Sequence, residues 1–226
     1  MTDMTADLAA PPNTPRLLRL QFVAAIAAGG FLFADGPPIA AAAQTETTET
    51  IIIIRHGEKP AAGLGQLSCQ GLNRALALPS VLRKAFGTPT AIFAPNPSEQ
   101  KPDNGTPYDY VRPLATIEPS AIAFGLPIHS AIGQARIDDL RRELNGPAYR
   151  DATVFVAWEH TMGAKLARAL MKQHGGDPDQ VPEWKGGDFD SIYAVRVKRS
   201  GPSTTASFEL GRQGLDGQKP TCPGAD

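Results

Sequence analysis

An arginine and a histidine stand side by side at Arg55-His56-Gly57-Glu58, directly after four consecutive isoleucines. A second histidine, His160, closes another apolar run, Val154 to Trp158, and Arg112 lies between the two in sequence. Guanidinium forks stay charged at any working pH and grip phosphate oxygens two at a time, so paired arginines suit an oxyanion site. Imidazole, with an ordinary pKa of about 6.5, is available in neutral form near pH 7. His56, Glu58 and His160 are also the ligand types of a two-histidine, one-carboxylate metal site. His56 and Glu58 are only two residues apart on one turn, however, and Arg55 beside them repels a cation, so no metal is expected. An Arg-His-Gly triplet taken alone reads equally well as a solvated strand end.

The elements that must position these residues follow from periodicity. Glu49 to Ile54 reads as a strand buried on both sides, because its β-branched run leaves no polar face, and Ala152 to Trp158 reads as a second one. Leu72 to Phe86 carries a helical apolar pattern that Pro79 is expected to kink or divide. Thr90 to Ala94 is a short strand. Pro113 to Phe124 and Ile137 to Leu144 are helices, and Met162 to His174 is another, stopped by Gly175-Gly176. Ser191 to Val197 and Ala206 to Leu210 are closing strands. Pro95 to Tyr110 has no apolar period and is expected to be a long loop near the site, since loops of that length serve as lids or binding elements. Strands alternating with helices predict a layered α/β domain with a largely parallel sheet. Ligands sit beyond the carboxyl ends of such strands, where His56 and His160 both fall; Gly57 there lets the chain turn sharply or approach a ligand closely.

Other residues read as structural. Glu58 is expected to be a solvated turn residue, His129 and His174 to lie in a loop and at a helix end, and Trp158, Trp184, Phe189 and Tyr193 to pack in the core or at its edge. Lys165, Arg168 and Lys172 recur on the polar face of their helix.

The whole chain has 226 residues, 42% hydrophobic and 20% charged, and a formal net charge of -1. That is a globular composition, and it carries no electrostatic footprint of a nucleic-acid partner. Residues 1–43 read as an export signal, with Arg16 and Arg19 as the positive flank, Leu20 to Ala34 as the apolar stretch and cleavage expected after Ala43. A membrane anchor or an unstructured extension is the alternative for that segment. On the export reading residues 44–226 form a single secreted or periplasmic domain, with no stable membrane insertion after processing. Removal of three acids and two arginines leaves it formally neutral. In an oxidising compartment Cys69 and Cys222 can pair and tie the C-terminal tail to the body, although spacing alone does not establish it. No motif speaks to oligomeric state.

Four segments, in order, resemble the histidine phosphatase superfamily, which includes phosphoglycerate mutases, sugar-bisphosphate phosphatases and phosphohistidine phosphatases. Ile51 to Gly57 is similar to its nucleophile strand and turn, and Leu67-Ser68-Cys69-Gln70-Gly71-Leu72-Asn73-Arg74-Ala75 to its Leu-Thr-x-x-Gly-x-x-Gln-Ala helix start. Arg112-Pro113-Leu114-Ala115-Thr116 resembles the segment carrying its second phosphate-binding arginine, and Val154 to His160 the strand leading to its second histidine. The resemblance spans roughly residues 50 to 175, most of an average domain. It implies a phosphoglycerate mutase-like, three-layer α/β/α sandwich with a mostly parallel central sheet. It also implies a phosphatase needing no cofactor or metal, acting on a small phosphorylated substrate through a phosphohistidine. His56 would be the nucleophile, and Arg55, Arg112, His56 and His160 the phosphate pocket. A carboxylic acid must protonate the leaving group. In the family it follows the second histidine as His-Asp or lies after the second arginine, whereas here Thr161 follows His160. Glu159 is the favoured donor, although continued strand geometry points it to the opposite side; Glu118, Asp138 and Asp139 are alternatives. The missing His-Asp leaves open a non-catalytic phosphate-binding periplasmic module of the same fold. Lys59-Pro60, where mutases have Ser and a nearby Asn, speaks against a mutase.

Overall fold

The computed structural model describes residues 45–224, so the expected signal segment, 1–43, lies outside the described residues. The four isoleucines sit in β1 (Thr47–Arg55), whose centre is buried on both faces. Ile51 and Ile53 enter one core cluster, Ile52 and Ile54 the other, as the two-residue repeat of a strand requires. Each buried isoleucine contributes roughly 1.5–3 kcal/mol.

The other elements, in chain order, are α1 (Cys69–Phe86), β2 (Ala91–Phe93), β3 (Gln100–Asp103), β4 (Thr106–Asp109), α2 (Arg112–Phe124), β5 (Ile128–His129), α3 (Ile137–Leu144), β6 (Thr153–Trp158), α4 (His160–Gln173), β7 (Ser191–Ser200) and β8 (Ser203–Arg212). The main sheet runs β5-β2-β6-β1-β7-β8. Its first four strands are parallel, with Ile52 opposite Phe155, and β7 and β8 close it as an antiparallel hairpin. Leu78 and Leu82 of α1 and Ile117 and Ala121 of α2 cover the Ile52 face. Leu140 and Leu144 of α3 and Leu166 and Leu170 of α4 cover the Ile51 face. The result is the expected three-layer α/β/α sandwich with a mostly parallel sheet.

Four local points differ from expectation. Pro79 lies inside α1 without dividing it, and the helix begins at Cys69 because the Ser68 hydroxyl caps it, accepting from Gly71 N at 3.1 Å. The expected loop at Pro95 to Tyr110 contains the β3–β4 hairpin. Asn104 and Gly105 both have positive φ there, 51° and 83°, the pair a tight two-residue hairpin turn demands. The two-residue strand β5 is too short to leave an apolar run in the sequence. Cys69 and Cys222 form a disulfide, 153 residues apart in sequence.

Candidate active site

His56 and His160 emerge from adjacent parallel strands. β1 ends at Arg55, paired with Trp158 at the end of β6, and His56 N donates to Trp158 O at 3.1 Å. His56 is 3% exposed, and its Nδ1 lies 2.7 Å from the Gly57 carbonyl. A carbonyl only accepts, so Nδ1 carries the proton and Nε2 keeps the lone pair. Burial, with help from the Arg55 and Arg112 charges, brings the imidazole pKa down to about 3. The ring is therefore neutral throughout the ordinary pH range.

The turn after His56 is fixed by close backbone contact. A Cβ on Gly57 would fall 2.9 Å from Gly71 O, and one on Gly71 only 2.3 Å from Glu58 O. Gly57 thus serves the approach of the turn to the start of α1. Its N–H donates to Thr116 Oγ1 at 2.9 Å, and the same hydroxyl donates to Arg112 O at 2.8 Å, stitching α2 to the turn. Glu58 is not a solvated residue. Its carboxylate takes Arg74 Nη2 at 2.7 Å and Nε at 3.0 Å, and Arg74, fully buried on the apolar side of α1, also reaches Asp190, Gln213 and Asp216. A buried arginine needs such partners. Its position on the apolar stripe with Gly71, Ala75 and Leu78 was the sequence signal for it.

Contacts then run in a ring around His56. Arg55 stacks over Phe189, 3.9 Å to the ring centroid, and donates through Nη1 to Gly186 O at 2.6 Å and Asp188 O at 3.2 Å. Phe189, expected only to pack, lies 6.1 Å from the His56 ring. Tyr110 meets His56 edge-on at 5.9 Å, with Arg112 4.9 Å and Lys101 Nζ 5.1 Å from its own ring centre. Lys101 is also 3.9 Å from Glu159 Oε1, and a side chain at Gly186 would come within 3.9 Å of His160 Nε2. Arg55, His56, Arg112, His160 and Glu159 are thus brought together. Glu118 is exposed, and Asp138 and Asp139 pair on the α3 surface with Arg141 and with Arg136 and Arg142.

Glu159 turns inward because it caps α4. One carboxylate oxygen accepts from Met162 N at 2.9 Å, and the other lies 2.7 Å from His160 Nδ1, off the line of a hydrogen bond. Burial pushes this carboxyl up, but His160, the Met162 amide and Lys101 outweigh it and bring the pKa to about 2. Arg112 pairs with Asp103, which also receives Lys59 Nζ at 2.5 Å. Burial raises the Asp103 pKa, and the Lys59 and Arg112 bonds more than offset it, leaving it lowered. Asp103, Lys101 and Tyr110 all come with the hairpin, and Asn104-Gly105 was the signal that could have revealed it.

A mostly parallel sheet with an Arg-His-Gly turn and a second histidine at the ends of neighbouring strands has the phosphoglycerate mutase-like fold. No protein-family model matches the chain, and no curated protein matches it in sequence. Solved structures do. One described as a phosphohistidine phosphatase SixA from Nakamurella multipartitia aligns with 73% of this chain and 95% of its own, at 14% identity and a TM-score of 0.51. A mycobacterial glucosyl-3-phosphoglycerate phosphatase with inorganic phosphate aligns over 71% and 95%, at 18% identity and a TM-score of 0.46. At 14% identity the first of these likenesses speaks to fold alone.

Proposed function

We propose that this protein is an exported, metal-independent phosphatase that hydrolyses a small phosphate monoester through a phosphohistidine on His56. The observation that carries the reading is the buried, neutral His56 ring with its Nε2 lone pair free, set among Arg55, Arg112, Lys101 and His160. Nε2 attacks phosphorus, the ester P–O bond breaks, and the departing oxygen takes a proton from Glu159. Water then attacks phosphorus, returns a proton to Glu159 and breaks the P–N bond, releasing phosphate and neutral His56. The arginines and His160 balance the charge on the transferring group.

Glu159 on its own is ionised, its pKa held at about 2, and becomes a donor only with substrate present. The negative charge of a phosphate dianion bound beside it opposes ionisation and raises the carboxyl pKa, favouring the protonated form that the leaving group needs. The Cys69–Cys222 disulfide supports export, since such bonds persist in oxidising compartments; fractionation of the host cell tests that part.

Purified protein is assayed with an aryl phosphate at about pH 4 to 8 with EDTA, beside His56→Ala. Turnover that survives EDTA and disappears in the variant is the expected result, with a trapped acid-labile phosphoryl group on the wild type. The ionised state of Glu159 and the lowered pKa of Asp103 favour one second reading, a phosphate-binding module without turnover. Protection against heat by inorganic phosphate, with no hydrolysis, would establish it.

A further inference from the structure

Among the described residues, seven buried side-chain nitrogen or oxygen atoms have no hydrogen-bond partner, and four of them belong to this site: Arg55 Nε, Arg112 Nε, His160 Nδ1 and the Tyr110 hydroxyl. Buried polar groups are nearly always paired, so four unpaired ones converging here mark a place suited to a polar ligand. Tyr110 is the informative member. It is 1% exposed, so its unpaired hydroxyl costs stability in the empty protein. The Arg112 guanidinium lies near the phenol oxygen without an aligned hydrogen bond and can only donate, so the hydroxyl proton has no acceptor, while the ring makes the edge contact to His56 and the cation contacts to Arg112 and Lys101. Its place is fixed from both sides: Tyr110 N donates to Glu99 O at 3.3 Å, and Arg112 N donates to Gly65 O at 3.2 Å.

Resting on the phosphatase reading, we propose that the Tyr110 hydroxyl is a further catalytic group, donating a hydrogen bond to a non-bridging oxygen of the phosphoryl group held over His56. Burial pushes the phenol well above its ordinary pKa, so it keeps its proton and acts as a fixed neutral donor. A neutral donor adds no charge to a site already rich in cations. It contributes direction, fixing one phosphoryl oxygen on the hairpin side of the ring while Arg55 holds the opposite side.

The test compares wild type with Tyr110→Phe, which keeps the ring and removes the donor. A hydrogen bond to a charged acceptor predicts roughly 10- to 100-fold weaker binding of inorganic phosphate and orthovanadate in the variant, with kcat/KM for the aryl phosphate reduced by a similar factor. The free variant melts at the same temperature as wild type or higher, since an unpaired buried hydroxyl is gone; a residue that merely packs would leave phosphate affinity unchanged. Wild-type-like phosphate binding and turnover in the variant overturn the role of Tyr110 while leaving the phosphatase reading intact. A wild type that neither binds phosphate nor turns over overturns both. Should the variant not fold, Tyr110→3-fluorotyrosine retains the hydroxyl, and its fluorine resonance must move as phosphate is added; an unmoved resonance at saturating phosphate also overturns the proposal.

Discussion

His56→Asn isolates a single titration. In the folded chain burial and the Arg55 and Arg112 charges hold the imidazole pKa at about 3; in the unfolded chain it returns to about 6.5. Above about pH 6.5 both states are neutral at this position and no pH dependence arises from it. Below that, the unfolded chain binds a proton the folded chain refuses, so stability falls as pH falls until about pH 3. At about 1.36 kcal/mol per pH unit, the loss from this group is about 2 kcal/mol by pH 5 and about 5 kcal/mol by pH 3. Asparagine does not titrate, and its amide can still donate to the Gly57 carbonyl. Urea unfolding of both proteins at about pH 7, 6 and 5, in phosphate-free buffer, measures the difference. Other titrating groups, His174 and Glu159 among them, are common to both and cancel. The wild type should lose about 2 kcal/mol more than the variant between pH 7 and 5; parallel losses would refute a buried neutral imidazole.

Arg74→Met leaves Glu58 and Asp190 without their counter-charge and should destabilise by about 3–5 kcal/mol in urea unfolding, with turnover falling because Glu58 no longer anchors the turn; a loss under 1 kcal/mol contradicts the hub. Replacing both Cys69 and Cys222 by Ser opens a link between residues 153 apart, worth at most about 5 kcal/mol in the chain-entropy account, and an unchanged denaturation midpoint argues against the bond. Gly71→Ala drives a Cβ to 2.3 Å from the Glu58 carbonyl oxygen in the turn after His56, so a loss of roughly 3 kcal/mol and of most activity is expected; full activity would mean that the turn tolerates displacement. Asp103→Asn removes the carboxylate paired with Arg112, which on the phosphatase reading competes with phosphate for that arginine. The free protein should melt earlier and inorganic phosphate should raise its Tm by more than in wild type; equal increments would show that Asp103 does not guard that arginine.

The doubly buried strands were legible because an unbroken run such as Ile51 to Ile54 leaves no polar face, and the helices followed from their apolar spacing. The meeting of His56, His160 and Arg112 was legible through order along the chain and placement at strand ends. Other parts depended on three-dimensional pairing that spacing does not carry. Glu58 looked solvated because its partner, Arg74, is sixteen residues away on a helix and is completed by a tail more than a hundred residues further on. Glu159 was expected to follow strand alternation, yet the strand ends at Trp158 and the carboxylate swings round to cap α4. Lys101 and Tyr110 were hidden in a segment with no apolar period, where Asn104-Gly105 outweighed the lack of pattern.

The placement of the site follows from the order of the sheet. The chain leaves β1 through α1, on the Ile52 face, and leaves β6 through α4, on the Ile51 face. β1 and β6 are neighbours, so the connections from their carboxyl ends diverge to opposite layers, the arrangement at which open α/β sheets hold ligands. His56 and His160 stand where those two connections part. The remaining groups come from the segments around them: Arg112 from the start of α2, Lys101 and Tyr110 from the hairpin, and Phe189 from the approach to β7. The rigid part of the site is therefore carried by the sheet, where the strand ends are locked by burial on both faces. The groups that the hairpin, the start of α2 and the approach to β7 place around His56 sit on connections that can vary without disturbing that core.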